Sequence, residues 1–284
     1  MTATEARRPS PIEVERQAFR RRQTARSVLV GAASTIVFAA AIALLILFSP
    51  GWPKVQQSFF DPVAWVGAWP RVWDGFLLNL QVLGISVVGV AVFATIIAFL
   101  RTLRGAVWFP ARFLAAAYTD LFRGLPLIIV LYLVGFGIPG LLQQRVPVLV
   151  LGPVALIITY SAYVAEVIRA GIEAVHPSQR IAGRALGLTH GQTLRMVVLP
   201  QAIRKVTPPL MNDFISMQKD VGLISVLGAV DAVRAAQIET ATWGNFTPYV
   251  LAGVLFVVLA WPMIRLTDWL SARMQRREQV GGAA

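Results

Sequence analysis

The chain has 284 residues, 56% of them hydrophobic and only 14% charged, and a mean hydropathy of +0.65, which is too apolar for an ordinary soluble domain. A formal net charge of +12 raises nucleic acid as a partner only if the basic residues have no other explanation. Cysteine is absent, which excludes both a disulfide frame and a thiolate site.

Several apolar runs reach or approach the roughly 20 residues a helix needs to cross a hydrocarbon core about 30 Å thick. They lack the apolar/polar alternation of a transmembrane barrel strand. The fold class is therefore an all-α integral membrane protein, with spans predicted at 27–48, 76–100, 112–138, 150–174, 203–228 and 247–270. With the N-terminus inside, 21 of the 26 basic residues fall in or beside cytoplasmic segments, while Lys54, Arg71, Arg145 and Arg234 fall outside and Lys219 lies within a span. This is the positive-inside asymmetry. It accounts for the charge without nucleic acid.

Residues 1–26 read as a basic cytoplasmic tail, ending in ERQAFRRRQTAR, that pins topology and can also meet anionic lipid headgroups. The run after it lacks a small-residue cleavage site, so it reads as a retained helix and not as a signal peptide. SPGWPKVQQSFFDPVAWVGAWPRVWDG, with four Trp and four Pro, suits an outer loop at the interface, where Trp rings sit. Residues 27–75 thus form an extra helix and loop, 76–270 a five-helix core and 271–284 a second cytoplasmic tail. Lys54, Lys205 and Lys219 all lack the glycine context of a phosphate-binding loop. His176 and His190 stand in no metal-ligand pattern, and Asn245-Phe246-Thr247 reads as an accidental sequon. The chain carries no catalytic residue and no cofactor of its own.

One polar interlude, RIAGRALGLTHGQTLRMVVLP from Arg180 to Pro200, has its own helix signals. Gly187 suits the left-handed position that ends a helix. Thr189 and Gln192 form a capping box, Leu194, Val197 and Val198 share one face, and Pro200 limits further winding. The residues describe two short helices and an elbow; an interfacial or re-entrant loop without a partner fits them too.

In the fifth span, Asn212, Asp213, Ser216, Lys219 and Asp220 share an arc about 120° wide at 100° per residue. Ionisable groups at membrane depth face a bundle interior or a water-filled path. A Lys219–Asp220 pair that only locks helices together is the competing reading. Pro208-Pro209, Gly222 and Gly228 permit the irregular backbone that such cavities tolerate. Asp120 with Arg123, just before Gly124-Leu125-Pro126, is a second charged candidate. Together these residues offer both signs to a zwitterion.

The spacing of Ala182, Gly187, Val197, Leu199 and Pro200 resembles the EAA loop of binding-protein-dependent ABC importer permeases of type I. FRGLPLIIVLYLVGFGIP, ITYSAYVAEVIRAGI and LPQAIRKVTPPLMNDFISMQKDVGLISVLG resemble, in order, three further helices of the polar amino acid branch. The loop departs from the family at Ile181, where a Glu is usual, and at Gly183, where an Ala is usual. Val221-Gly222 replaces Thr-Ser, and Leu125 replaces Thr. The resemblance implies a coupling loop at 178–200 seated on a separate ATPase subunit that holds ATP and Mg. Its contact residues would be Ser178, Arg180, Ile181, Ala182, Arg184, Ala185, Leu186, Gly187, Leu188, Thr189, Gln192, Leu194, Arg195, Leu199 and Pro200. It also implies a gate or substrate path at Asp120, Arg123, Asn212, Asp213, Ser216, Lys219, Asp220, Val221 and Gly222. The implied partners are a second permease subunit, identical or related, two ATPase subunits, an extracytoplasmic solute-binding protein and a polar amino acid. The implied location is the bacterial inner membrane, with both termini cytoplasmic. An ion-coupled secondary transporter is the alternative; it predicts inverted repeats with matching broken helices, which are not evident.

Overall fold

A computed structural model describes residues 11–103 and 105–281, and all regular structure among them is helical. The chain divides into two compact units, 1–57 and 58–284. In the first, α1 (Pro11–Leu47) is one helix of 37 residues. Its described side chains are exposed along its length, and Gln23–Leu47 is apolar enough to cross a membrane. From Pro11 onward the basic tail is therefore helical and continuous with the first span. The short α2 (Trp52–Phe59) follows.

In the second unit, α3 (Pro62–Thr102) begins well before the expected core start at Phe76. Residues 62–75 are helix and not an outer loop. Ala64, Ala68, Val72 and Gly75 recur at helical spacing and are buried, while Trp69 and Trp73 stack on each other on the exposed side. The proline at the start of α3 does not break it, because Pro62 occupies a first-turn position where its missing N–H costs nothing. Asp61 caps the helix, accepting from the Val63 and Ala64 N–H groups at 2.9 and 3.4 Å. The apparent sequon is its clamp: Asn245 Nδ2 donates to Asp61 Oδ2 at 3.1 Å, and Thr247 Oγ1 accepts from the Asp61 N–H at 3.0 Å.

The next helices are α4 (Phe109–Gly124) and α5 (Leu127–Leu142). They correspond to the span expected at 112–138, yet they meet at 109° and do not form one straight helix. Leu125 precedes Pro126 and is driven into the extended region, with φ −96° and ψ 133°. α6 (Val148–Glu173) is the most enclosed long helix, and its Leu156 is fully buried with Val82, Leu131 and Ile224 from neighbouring segments. Then come α7 (Pro177–Ala185), α8 (His190–Thr193), a π-helical turn over Leu194–Val198, α9 (Leu199–Asp220) and a 3₁₀ segment over Val221–Leu227. α10 (Ala232–Trp243) is bent 59° from that run, and α11 (Thr247–Gly281) closes the described chain. Among the described residues four helices are long and apolar enough to span a bilayer, or up to six if each bent pair counts as one span.

α3 is tied to α10 by a buried polar node. A Cβ on Gly75 would stand 2.4 Å from the Asp231 carbonyl carbon, so only glycine permits this approach. One turn further on, Asn79 Nδ2 donates to Val221 O and to Asp231 Oδ2, each at 3.0 Å, and Asn79 Oδ1 accepts from the Ala232 N–H at 3.0 Å. Asn79→Leu strands three buried groups, each worth about 1–3 kcal/mol when left unpaired. The expected result is a loss of about 3 kcal/mol or more, read as a lower thermal midpoint in detergent. An unchanged midpoint would show that the node is dispensable.

Candidate coupling loop and translocation path

The loop at 178–200 has a defined local structure. α7 ends in a Schellman arrangement: the Leu188 N–H donates to Gly183 O at 3.1 Å and the Gly187 N–H to Arg184 O at 3.0 Å. Gly187 sits at φ +80°, the left-handed region. The capping box closes in both directions, with the Thr189 N–H donating to Gln192 Oε1 at 2.9 Å and the Gln192 N–H to Thr189 Oγ1 at 3.3 Å. Pro200 does not limit winding, because the chain passes through the π-helical turn into α9 with Pro200 in its first turn. The Leu199 N–H donates to Leu194 O, five residues back, so the chain reaches Pro200 through a widened turn, and the helical run continues past a residue with no N–H to offer.

The loop sorts its side chains into two sets. Val198 is buried against Val175 and Ala202, with Leu194 beside them, so this apolar stripe packs on the protein's own helices. Gly183 is also buried, and a Cβ there would come within 2.9 Å of Thr193 Cγ2. That crossing between α7 and α8 accounts for a glycine where the family resemblance expects Ala. Arg180 turns inward and donates from Nη2 to Ile172 O at 2.9 Å. Ala182, Arg184, Ala185 and Arg195 are exposed, as are Ile181 and Leu186, at 68% and 82%. Ser178 Oγ stays local, within 2.7 Å of His176 Nδ1.

Along α9, the polar arc leads to Tyr160 of α6. Tyr160 donates its hydroxyl to Asp220 Oδ2 at 2.8 Å. It also lines a cavity of about 290 Å³ with Asp213 and Met217, and the buried Asp213 Oδ2 has no partner among the described residues. Ser216 is half-buried, Asn212 and Lys219 are exposed, and Val221 and Gly222 are buried where α9 tightens into the 3₁₀ segment. Lys219 and Asp220 form no ion pair among the described residues; Asp220 uses Tyr160 instead. Asp120 and Arg123 are exposed near the end of α4, and there the Tyr163 hydroxyl donates to the Arg123 carbonyl at 3.1 Å. No hydrogen bond or ion pair joins them to Asp213, Lys219 or Asp220 among the described residues.

Sequence reasoning did not assemble one charged cluster. Arg101 of α3 donates to Glu166 Oε2 at 2.5 Å and to Thr119 Oγ1 of α4 at 2.9 Å. Arg169 holds the other Glu166 oxygen at 2.5 Å and also pairs with Glu173. Glu166 and Arg169 were visible as a motif spaced three apart, one helical turn. Arg101 was not, because nothing local marks a partner 65 residues away. Gly171 completes that motif sterically: a Cβ there would fall 2.0 Å from Val206 Cγ1 of α9.

Long apolar helices, two of them assembled from bent pairs, and a structured polar loop describe a polytopic helical membrane protein. Residues 109–276 match the model of the binding-protein-dependent transport system inner membrane component family. The chain belongs to that family, the permease subunits of ABC importers. It is 32% identical over 193 residues to the arginine transport system permease protein ArtQ of Bacillus subtilis, covering 67% of this chain and 86% of that one. It is 32% identical over 204 residues to the probable glutamine ABC transporter permease protein GlnM of the same organism, covering 72% and 93%. Among solved structures, the crystal structure of an amino acid ABC transporter with histidines superposes with a TM-score of 0.69 at 33% identity, covering 75% of this chain and 98% of that one.

Proposed function

We propose that this chain is half of the translocation pathway of an ATP-driven importer for polar amino acids. It pairs with a second permease subunit, identical or related, and two ATPase subunits dock on its cytoplasmic face. A solute-binding protein delivers substrate from the other side, over a face that includes residues 231–248. Both termini then lie in the cytoplasm of a bacterium whose inner membrane the chain spans. The observation that carries this reading is the build of the 178–200 loop, whose elbow is held by backbone bonds on both sides while Ile181 and Leu186 stand exposed on a polar surface. Exposed apolar side chains on a rigid polar element are available to fill pockets on a partner surface. A rigid knob of this kind passes motion of an ATPase to α9, into which the loop runs without a break. Similarity to amino acid permeases supports the substrate class.

The test is reconstitution in proteoliposomes with the cognate ATPase and binding protein. Uptake of a polar amino acid should require ATP inside the cytoplasmic compartment and all three components. Uptake by the permease alone, driven by an ion gradient, would replace this reading with a secondary transporter.

A further inference from the structure

The end of the bundle that carries α7 and α8 holds a recess of about 360 Å³, walled by the C-terminal ends of α3 and α6, the first turn of α4 and the loop helices. Among the described residues its wall carries five arginines and one carboxylate, Glu173. Arg101 and Arg169 are neutralised by Glu166 and Glu173. The remaining three, Arg112, Arg180 and Arg184, have no carboxylate partner among the described residues. Arg112 Nη1 donates to the Leu103 carbonyl at 2.9 Å, and Arg180 Nη2 to the Ile172 carbonyl at 2.9 Å. These bonds hold the two guanidinium groups in place without cancelling their charge. Arg180 Nε is buried and has no partner among the described residues.

Three uncompensated guanidinium groups around one recess repel one another, and they match an oxyanion through planar forks of N–H donors. The surroundings identify where the anion comes from. Val107, Trp108, Phe109 and Phe113 are all exposed beside Arg112, and aromatic rings at the end of a span sit at headgroup level. Basic pockets between membrane helices on the cytoplasmic side take anionic lipid headgroups. We propose that this recess binds the phosphate group of an anionic phospholipid of the cytoplasmic leaflet, with Arg112, Arg180 and Arg184 as its ligands. The bound phosphate bridges α4 to α7, which fastens the coupling loop to the membrane helices. The inference rests on the cytoplasmic placement of the loop, but on neither the substrate nor the ATPase.

The test uses delipidated full-length protein titrated with short-chain phosphatidylglycerol and, separately, with phosphatidylcholine of the same chain length, read by native mass spectrometry. Phosphatidylcholine presents the same phosphodiester with its charge cancelled by a quaternary ammonium. Preferential retention of phosphatidylglycerol is expected, and Arg112→Gln should weaken it about tenfold through loss of one charge-assisted contact. Arg112→Lys, which keeps the charge and loses the fork, should fall between the two. A third arm adds millimolar inorganic phosphate, which should leave the lipid bound. Displacement by inorganic phosphate would overturn the lipid assignment in favour of a soluble phosphate. Equal retention of the two lipids, or no effect of Arg112→Gln in protein with an unchanged size-exclusion profile, would overturn the site itself. Neither ATP nor an amino acid enters the measurement, so its failure is distinct from failure of the uptake assay.

Discussion

Gly187→Val is expected to uncouple ATP hydrolysis from uptake while leaving the assembled complex intact. A Cβ at Gly187 would meet no atom within 4 Å, so the first atom that the substitution adds stands in open space. The cost that the structure does show is in the backbone, because Gly187 holds φ at +80°. A β-branched residue is a genuine outlier there, and the left-handed region costs an L-residue about 1–2 kcal/mol even without branching. A cost of that size shifts the balance between the native elbow and its alternatives by a factor of about 5–30. The Schellman bonds from Gly187 and Leu188 back to α7 break first, after which α7 and α8 no longer move as one body. ATPase activity should persist and uptake per ATP should fall severalfold. Gly187→Asn is the internal control, since Asn tolerates the left-handed region, and it should retain most of the coupling. Normal uptake by the valine variant, or equal damage by Asn and Val, would show that the elbow's conformation does not transmit motion.

The elbow was legible because its determinants are local: a glycine after a helical run and a Thr-x-x-Gln box act within five residues of one another. The long apolar runs were legible for a similar reason, since length and hydropathy decide them. What failed was the reading of proline and tryptophan as loop markers. Pro62 opens α3, where proline suits a helix, and Pro200 follows directly on a π-helical turn inside a continuous helical run. The buried series Ala64, Ala68, Val72 and Gly75 was present in the sequence, but the surrounding Trp residues masked it. The nodes that join distant segments were beyond local reasoning. Asn79 reaches Asp231 across 152 residues, and Arg101 reaches Glu166 across 65. No periodicity records such pairings. For the proposed path, the sequence marked the polar arc of α9 and missed Tyr160, an aromatic within an apolar helix that extends its hydroxyl to Asp220.

That hydroxyl makes Asp220 a residue whose charge and structural role can be separated. In Asp220→Asn the side chain keeps its size, and the amide oxygen can still accept from Tyr160, so the link between α6 and α9 survives as a neutral hydrogen bond. The exchange of a charged for a neutral bond costs about 1–2 kcal/mol, too little to unfold a protein of ordinary stability, about 5–15 kcal/mol. Lys219 does not depend on this carboxylate for a bond, because no ion pair joins them among the described residues. If the negative charge at the end of α9 guides or gates the solute, uptake should fall by about tenfold or more, the equivalent of about 1.4 kcal/mol or more. Membrane levels should stay near normal. Tyr160→Phe provides the converse: it keeps the carboxylate charged and removes the bond that fixes its direction. It should therefore reduce uptake less than Asp220→Asn does, while loosening the packing of α6 on α9. Both variants are to be measured for membrane abundance by blotting and for uptake in the same vesicles. Should Asp220→Asn instead disappear from the membrane while the remaining protein transports at the normal specific rate, Asp220 would be a helix lock. The proposed path would then have to be sought at Asp213, whose Oδ2 has no partner among the described residues and which lines the same cavity as Tyr160.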